Sequence, residues 1–178
     1  MKIAQIHHVA YRCKDAMETV KFYNEILGMD FQLAISEDRV PSTKEYSPYM
    51  HVFLDAGCGN ILAFFELPEA PQMGRDINTP DWVQHIAFEL ESVAELQKAK
   101  QELESREIEV IGPTDHAIIQ SIYFFDPNGH RIELTVRTAT PQMLSKLDEV
   151  KWDMLEEWSK TKKVAAHASW LHEREFSN

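Results

Sequence analysis

The chain begins with a short segment in which apolar and polar positions alternate. On one face of this predicted strand lie Ile6, His8 and Ala10. Val9 and Tyr11 lie on the opposite, bulkier face. Because the bulkier face can pack beneath a following helix, we expect the face that carries His8 to turn toward the concave side of a sheet.

A helix is predicted directly after this strand. Asp15 stands seven residues after His8, and Glu18 follows Asp15 by three residues, which is the spacing of a capping box. Gly28 closes the helix. Apolar residues recur at helical intervals between the two ends, at Val20, Tyr23, Ile26 and Leu27.

The same order of elements occurs a second time in the chain. His85 superimposes on His8 without a gap, and Ser92 and Glu95 repeat the capping spacing seven residues later. Further strands follow in each copy, MHVFLDAGCG and NILAFFELP in the first and SIYFFDPNGHRIELTV in the second. The repeated unit is therefore a strand, a helix and about three strands.

This duplication predicts an α+β domain over residues 1–137. Its two copies span about 3–70 and 82–137. Residues 138–178 are predicted to be a C-terminal helical extension, because Thr140 begins a helix whose apolar stripe reaches Trp158. That stripe could pack on the domain or on a partner subunit, so a homodimer is a possible assembly.

Two connections in the first copy are long, polar and contain proline. They are SEDRVPSTKEYSPY (36–49) and PEAPQMGRDINTPD (68–81). Segments of this kind form the rim or lid of a binding site in some proteins and are plain connecting loops in others. Both interpretations stay open from the sequence.

Composition narrows the class of partner. The formal net charge is -11, which argues against nucleic acid or an anionic membrane surface as a partner, since both require a basic face. Only two cysteines, Cys13 and Cys58, are present, and the sequence contains no signal peptide and no apolar run that could span a bilayer. We expect a cytoplasmic protein that acts on a small molecule.

Three residues on separate strands are candidate metal ligands: His8, His85 and Glu133. Two imidazoles and one carboxylate form the facial triad of non-haem Fe(II) oxygenases. Glu133 follows the predicted turn at 126–129. A single strand histidine is more often structural than a ligand, but its occurrence at one position of two superimposed repeats favours a metal site.

On these residues the chain resembles the vicinal oxygen chelate superfamily over roughly 3–137. That superfamily includes glyoxalase I, methylmalonyl-CoA epimerase, extradiol ring-cleaving dioxygenases and bleomycin-resistance proteins. The resemblance implies paired βαβββ modules that form a curved mixed sheet around a metal-binding cleft, with His8, His85 and Glu133 as ligands of a divalent metal. Bleomycin-type binding proteins generally lack the ligand set, so a non-enzymatic, antibiotic-resistance-like binding protein is the least favoured interpretation.

A longer motif resembles the signature around the last ligand of extradiol dioxygenases. It comprises Thr114-Asp115-His116, Ile122-Tyr123, Asp126-Pro127-Asn128-Gly129 and Glu133. The resemblance implies that His116 and Tyr123 contact the substrate hydroxyl and the bound oxygen and stabilise the intermediates by hydrogen bonds. It predicts Fe²⁺ as the metal and a catechol-like or other chelating small molecule as the substrate.

The chain departs from the dioxygenase pattern at Asn60. Extradiol enzymes commonly carry a histidine pair just before a Leu-Ala-Phe stretch, and the second histidine moves protons during ring cleavage. Asn60 takes that position here. An amide cannot shuttle a proton near neutral pH, which disfavours ordinary catechol cleavage. An amide can hydrogen-bond, so we predict that Asn60 orients the substrate.

Glu66 supports an alternative function. It falls on the same strand face as Asn60 and near the pseudo-symmetric counterpart of Glu133. Glyoxalase I uses a carboxylate there as a fourth ligand and as a base, and such a site accepts Ni²⁺, Zn²⁺, Co²⁺ or Mn²⁺. The sequence therefore predicts an extradiol-type dioxygenase first, and a glyoxalase- or epimerase-like isomerase or lyase second.

Overall fold

The computed structural model describes residues 1–171, and its elements follow the predicted order. The first module consists of β1 (His8–Cys13), α1 (Ala16–Glu25), β2 (Asp30–Arg39), β3 (Tyr46–Asp55) and β4 (Ile61–Glu66). The second consists of β5 (His85–Glu89), α2 (Val93–Ser105), β6 (Ile111–Asp115), β7 (Ile119–Phe125) and β8 (Arg131–Arg137). The helix α3 (Pro141–Thr161) and a 3₁₀ turn (Ala166–Ala168) follow. The predicted α+β class, the paired βαβββ modules and the C-terminal helix are confirmed.

The chain divides into two compact units. The first contains Met1–Ile86 and Phe125–Arg131, and the second contains Ala87–Phe124 and the chain from Ile132 onward. The strand order is β1-β4-β3-β2 in one sheet and β5-β8-β7-β6 in the other. Each module therefore forms its own four-stranded sheet.

Pairing in the first sheet fixes which side chains share a face. β1 runs parallel to β4, with His8 opposite Ile61 and Cys13 opposite Glu66. β3 runs antiparallel to both β2 and β4. Tyr23 of α1 is fully buried and contacts the ring of Phe64, so α1 packs on one face of the sheet. His8 is on the opposite face, as the alternation predicts.

The helices α1, α2 and α3 begin at the predicted cap residues, and each cap side chain accepts from a backbone N–H three positions further on. The backbone N–H of Glu18 donates to Asp15 at 2.8 Å, and that of Glu95 donates to Ser92 at 3.2 Å. Thr140 accepts from the Met143 backbone N–H at 3.2 Å. Each contact satisfies a helix N–H that has no intrahelical partner.

The segment 36–49 is not the long loop that its polar composition suggested. β2 continues through Arg39 and β3 begins at Tyr46, with Arg39 opposite Tyr46 and Glu37 opposite Tyr49. The turn itself comprises only residues 40–45. Backbone pairing between antiparallel strands does not depend on apolar side chains, so a polar hairpin can extend beyond the core. The segment 68–81 contains no strand or helix, as predicted.

The helix α3 has no buried residue along its 21 positions. Of its predicted apolar stripe, Leu144, Leu155 and Trp158 are exposed, and Trp152 beside them is exposed as well. Residues 172–178 of the predicted extension lie outside the described residues. Within the described part of the chain, no helix is long and apolar enough to cross a bilayer.

Candidate functional site

Glu133 forms a hydrogen-bonded chain with the two residues that the longer motif singled out. The Tyr123 hydroxyl donates to Oε1 of Glu133 at 3.2 Å, and Nε2 of His116 is 2.8 Å from the same hydroxyl. Because the single hydroxyl proton points to the carboxylate, Nε2 of His116 must be the donor to the tyrosine oxygen. Glu133 and Tyr123 are 3% and 9% exposed, so water competes weakly for these bonds.

The turn between β7 and β8 is organised by a buried aspartate. Oδ1 of Asp126 accepts from the backbone N–H groups of Asn128 and His130 at 2.9 and 2.7 Å. Gly129 has a φ of +90°, which a side chain would strain. The predicted Asp-Pro-Asn-Gly turn is therefore present, and it joins the strands that carry Tyr123 and Glu133.

His85 is oriented as metal-binding histidines usually are. Its Nδ1 lies 3.1 Å from the carbonyl oxygen of Val83. A carbonyl oxygen can only accept, so the proton of the neutral ring is on Nδ1 and the lone pair is on Nε2. Histidines that bind a metal through one ring nitrogen commonly donate the N–H of the other to a backbone carbonyl.

His8 is exposed on the face of the first sheet that does not contact α1. Its Nδ1 lies 2.8 Å from Nδ1 of His7, so one of the two rings donates to the other. Its ring contacts Phe53, with ring centroids 5.8 Å apart. The predicted ligand thus stands beside an aromatic surface.

The three predicted ligands are divided between the two units of the chain. His8 and His85 are in the first unit, and Glu133 is in the second. Among residues 1–171, no group of three or more histidine, cysteine, aspartate or glutamate side chains is placed so that it could hold one metal ion. The donors themselves, two imidazoles and a buried carboxylate, fit a divalent transition metal chemically. The triad stays a prediction.

Asn60 lies in the tight turn between β3 and β4. Its side-chain N–H donates to the carbonyl oxygen of Gly57 at 2.8 Å, and its side chain is in an exposed part of the chain. The amide thus holds the turn in the described conformation. Its predicted substrate-orienting role stays a prediction.

Glu66 is engaged at the start of α1. Its Oε2 accepts from the backbone N–H of Ala16 at 2.7 Å, where a negative charge stabilises the helix. Glu66 pairs with Cys13 at the far end of β1 from His8, and strand alternation places it on the face opposite His8. The residue opposite His8 is Ile61. The sequence could not show this, because it does not fix the register of two parallel strands.

His51 of β3 is not among the site residues that the sequence predicts. Its ring stacks on Phe65, with centroids 3.5 Å apart and an interplanar angle of 17°, and lies 4.0 Å from Phe53. Burial is the main cause that lowers the pKa of His51, and the charge of nearby His8 is the second. The alternation of Tyr49, His51 and Phe53 along β3 could have indicated this aromatic face.

A cavity of about 560 Å³ lies within the first unit. His85 lines this cavity. Seven residues of the segment 68–81 also line it: Met73, Gly74, Arg75, Asp76, Thr79, Pro80 and Asp81. Arg12, Lys14 and Arg131 add positive charge in a chain whose net charge is -11. The size of the cavity and the charged side chains in its lining suit a small polar molecule.

Comparison with known proteins agrees with this fold. A metallothiol transferase, FosB of Staphylococcus epidermidis, is 25% identical over 145 residues, which cover 80% of this chain and 89% of the relative. A probable chloroplastic lactoylglutathione lyase of Arabidopsis thaliana is 32% identical over 141 residues, or 77% of this chain. The chain spans only 37% of the length of that lyase.

The fold is also similar to that of solved structures. Glyoxalase I of Leishmania major superimposes with a TM-score of 0.57 at 19% identity, covering 88% of this chain and 99% of that chain. At this identity the likeness concerns the fold alone. The family model described as Glyoxalase/Bleomycin resistance protein/Dioxygenase superfamily matches residues 5–134. The chain therefore belongs to the glyoxalase, bleomycin resistance protein and dioxygenase superfamily.

Proposed function

We propose that the protein is a divalent-metal-dependent enzyme that binds a small oxygen-chelating substrate and catalyses a redox-neutral reaction. The observation that carries this proposal is the series of hydrogen bonds from the half-buried His116 through Tyr123 to the buried Glu133. A carboxylate that is buried and oriented by a tyrosine is suited to bind a metal ion, and hydrogen bonds of this kind fix ligand geometry.

His8, His85 and Glu133 would hold the metal in this proposal. A bound divalent metal polarises the chelating oxygens of a substrate and stabilises negative charge that develops on them. Tyr123 orients the Glu133 carboxylate, and the N–H of His116 fixes the direction of the tyrosine hydroxyl. Because Nδ1 of His85 is bonded to the carbonyl oxygen of Val83, Nε2 would be the atom that binds the metal.

The named relatives support redox-neutral chemistry. One is named a metallothiol transferase and the other a probable lactoylglutathione lyase, and neither name describes an oxidation. The amide of Asn60 is a poor proton carrier and is bonded within its turn. Because Glu66 caps α1, we propose three protein ligands rather than the four of the glyoxalase-like alternative.

An extradiol dioxygenase that uses Fe²⁺ is the second candidate. The observation that favours it is the same series of hydrogen bonds, since His116 and Tyr123 occupy the motif positions that resemble those of extradiol dioxygenases. The hydrogen-bonded pair could stabilise oxygen-derived charge. Asn60 disfavours this candidate, and the transferase and the lyase described above are not named as dioxygenases.

One experiment separates the candidates. The metal-free protein is reconstituted anaerobically with Mn²⁺, Ni²⁺, Zn²⁺, Co²⁺ or Fe²⁺. Each form is assayed without oxygen on the hemithioacetal precursor of lactoylglutathione and for the transfer of a thiol to a small electrophile. Oxygen uptake is then followed with a panel of catechols. We expect metal-dependent turnover without oxygen, and His8→Ala and Glu133→Ala should abolish it.

Other outcomes would contradict the proposal in distinct ways. Oxygen uptake on catechols by the Fe²⁺ form alone would favour the dioxygenase. Substrate binding without turnover in every metal form would favour a non-enzymatic binding protein. Failure of the parent chain to retain any divalent metal would exclude all the metal-dependent candidates.

The predicted homodimer stays a proposal. Apolar residues are exposed on α3, among them Trp152 and Leu155, and this surface could pack against the same helix of a second subunit. Light scattering of the purified protein should then give about twice the chain mass of 20.6 kDa.

A further inference from the structure

The third strand of the first sheet carries a second histidine on the face of His8. His51 of β3 pairs with Phe65 of β4, and Phe65 pairs with Arg12 of β1. Paired side chains project from the same face of a sheet, and Arg12 and His8 are an even number of positions apart. The ring centroids of His8 and His51 are 6.3 Å apart.

Two phenyl rings fix the orientation of His51. Phe65 stacks on the imidazole almost in parallel, and Phe53 contacts it from a second direction. Phe53 also contacts the ring of His8. His51 is therefore held in one orientation, close to a predicted metal ligand.

The polar edge of this imidazole is not explained by packing. Nε2 of His51 is buried and has no hydrogen-bond partner within residues 1–171. Buried polar atoms in folded proteins almost always have a partner, because leaving one without a bond is costly. A phenylalanine at this position would make a similar aromatic cluster without that cost. The position thus retains a polar atom that the fold alone does not require.

We propose that His51 is a substrate-binding residue of the metal site. Its Nε2 would hydrogen-bond a polar group on a small molecule whose planar part packs on Phe53, while the metal that His8, His85 and Glu133 would hold binds the oxygens of the same molecule. This inference rests on the proposed metal-dependent function and adds that its substrate presents a planar group to Phe53. Recognition through one rigid polar group in an aromatic setting is typical of small-molecule sites.

The test uses 4-nitrocatechol as a planar chelating probe. The parent protein and two variants, His51→Phe and His51→Gln, are loaded with Mn²⁺ and titrated anaerobically, and binding is followed by the change in probe absorbance. We expect His51→Phe to weaken binding about tenfold, the effect of losing one hydrogen bond. His51→Gln should stay within about threefold of the parent, since its amide nitrogen can replace Nε2.

Two controls distinguish a binding role from a structural one. Metal content should be the same in the parent and both variants. The thermal midpoint of His51→Phe should equal or exceed that of the parent, because the substitution removes a buried polar atom without a partner. The exposed substitution Tyr46→Phe serves as the matched control and should leave probe binding unchanged.

The failure of this inference differs from failure of the proposed function. If the parent retains metal and binds the probe but His51→Phe binds it equally well, only the role of His51 is overturned. If the parent retains metal and does not bind the probe, the planar substrate class is overturned with it. A parent that retains no metal contradicts the proposed function itself.

Discussion

The hydroxyl of Tyr123 donates to the carboxylate of Glu133 across neighbouring strands, at 3.2 Å and in a buried setting. The two residues are ten positions apart in the chain, and the turn at 126–129 brings them together. The tyrosine hydroxyl therefore orients the Glu133 carboxylate. This relationship connects the sequence motif to a testable chemical role.

Tyr123→Phe should weaken metal binding by about 10- to 100-fold, because removal of a group that orients a ligand has effects of this size. The phenyl ring keeps the packing, so the thermal midpoint should change little. Competition with a chromophoric chelator measures the affinity, and Tyr46→Phe is the exposed control. An unchanged affinity would show that Tyr123 does not support Glu133 in metal binding.

Glu66→Ala should destabilise the protein by about 1 kcal/mol through loss of the contact at the start of α1. Metal affinity should not change, because we propose that Glu66 is not a ligand. Glu66→Gln keeps an accepting oxygen and should lose less stability. Chemical denaturation and metal titration measure the two quantities separately. A large loss of metal affinity in both variants would restore Glu66 as a fourth ligand.

Ile61→Glu tests the register of β1 and β4. The substitution places a carboxylate directly opposite His8, where a fourth ligand can form. We expect Ni²⁺ and Zn²⁺ to bind more tightly, by about tenfold or more, since a further anionic ligand favours these ions. The matched substitution Leu62→Glu, on the other face, should instead destabilise the core. Equal metal affinity in parent and Ile61→Glu would contradict the register or the ligand role of His8.

The two cysteines should differ sharply in reactivity. Burial raises the pKa of Cys13 to about 11, whereas Cys58 is exposed. The thiolate is the reactive form, so one thiol should react with Ellman's reagent in the native protein and two after denaturation. Rapid reaction of both thiols in the native protein at neutral pH would contradict the described burial.

The raised pKa of Cys13 also affects stability at alkaline pH. A group whose pKa is higher in the folded state keeps its full contribution below the unfolded value of about 9. That contribution is lost as the pH rises from about 9 to about 11. Cys13→Ser should flatten this part of the unfolding free energy profile, and Cys58→Ser should leave it unchanged.

The features that the sequence predicted correctly depend on residues close together in the chain. The helix starts at Asp15 and Ser92 and the turn after Asp126 each depend on side chains that bond within a few residues. The internal repeat made the order of elements visible twice. Local hydrogen bonding and periodicity therefore determined the two βαβββ modules and the position of His8, on the face away from α1.

Features that depend on pairing between distant segments required the tertiary structure. The parallel register of β1 and β4 placed Ile61 opposite His8 and moved Glu66 to the start of α1. The hairpin ladder turned most of 36–49 into strands. Stacking between neighbouring strands brought His51 beside Phe65 and left its Nε2 without a partner among the described residues. A register shift of one residue reverses every face of a strand, and only packing of the whole sheet selects among such shifts.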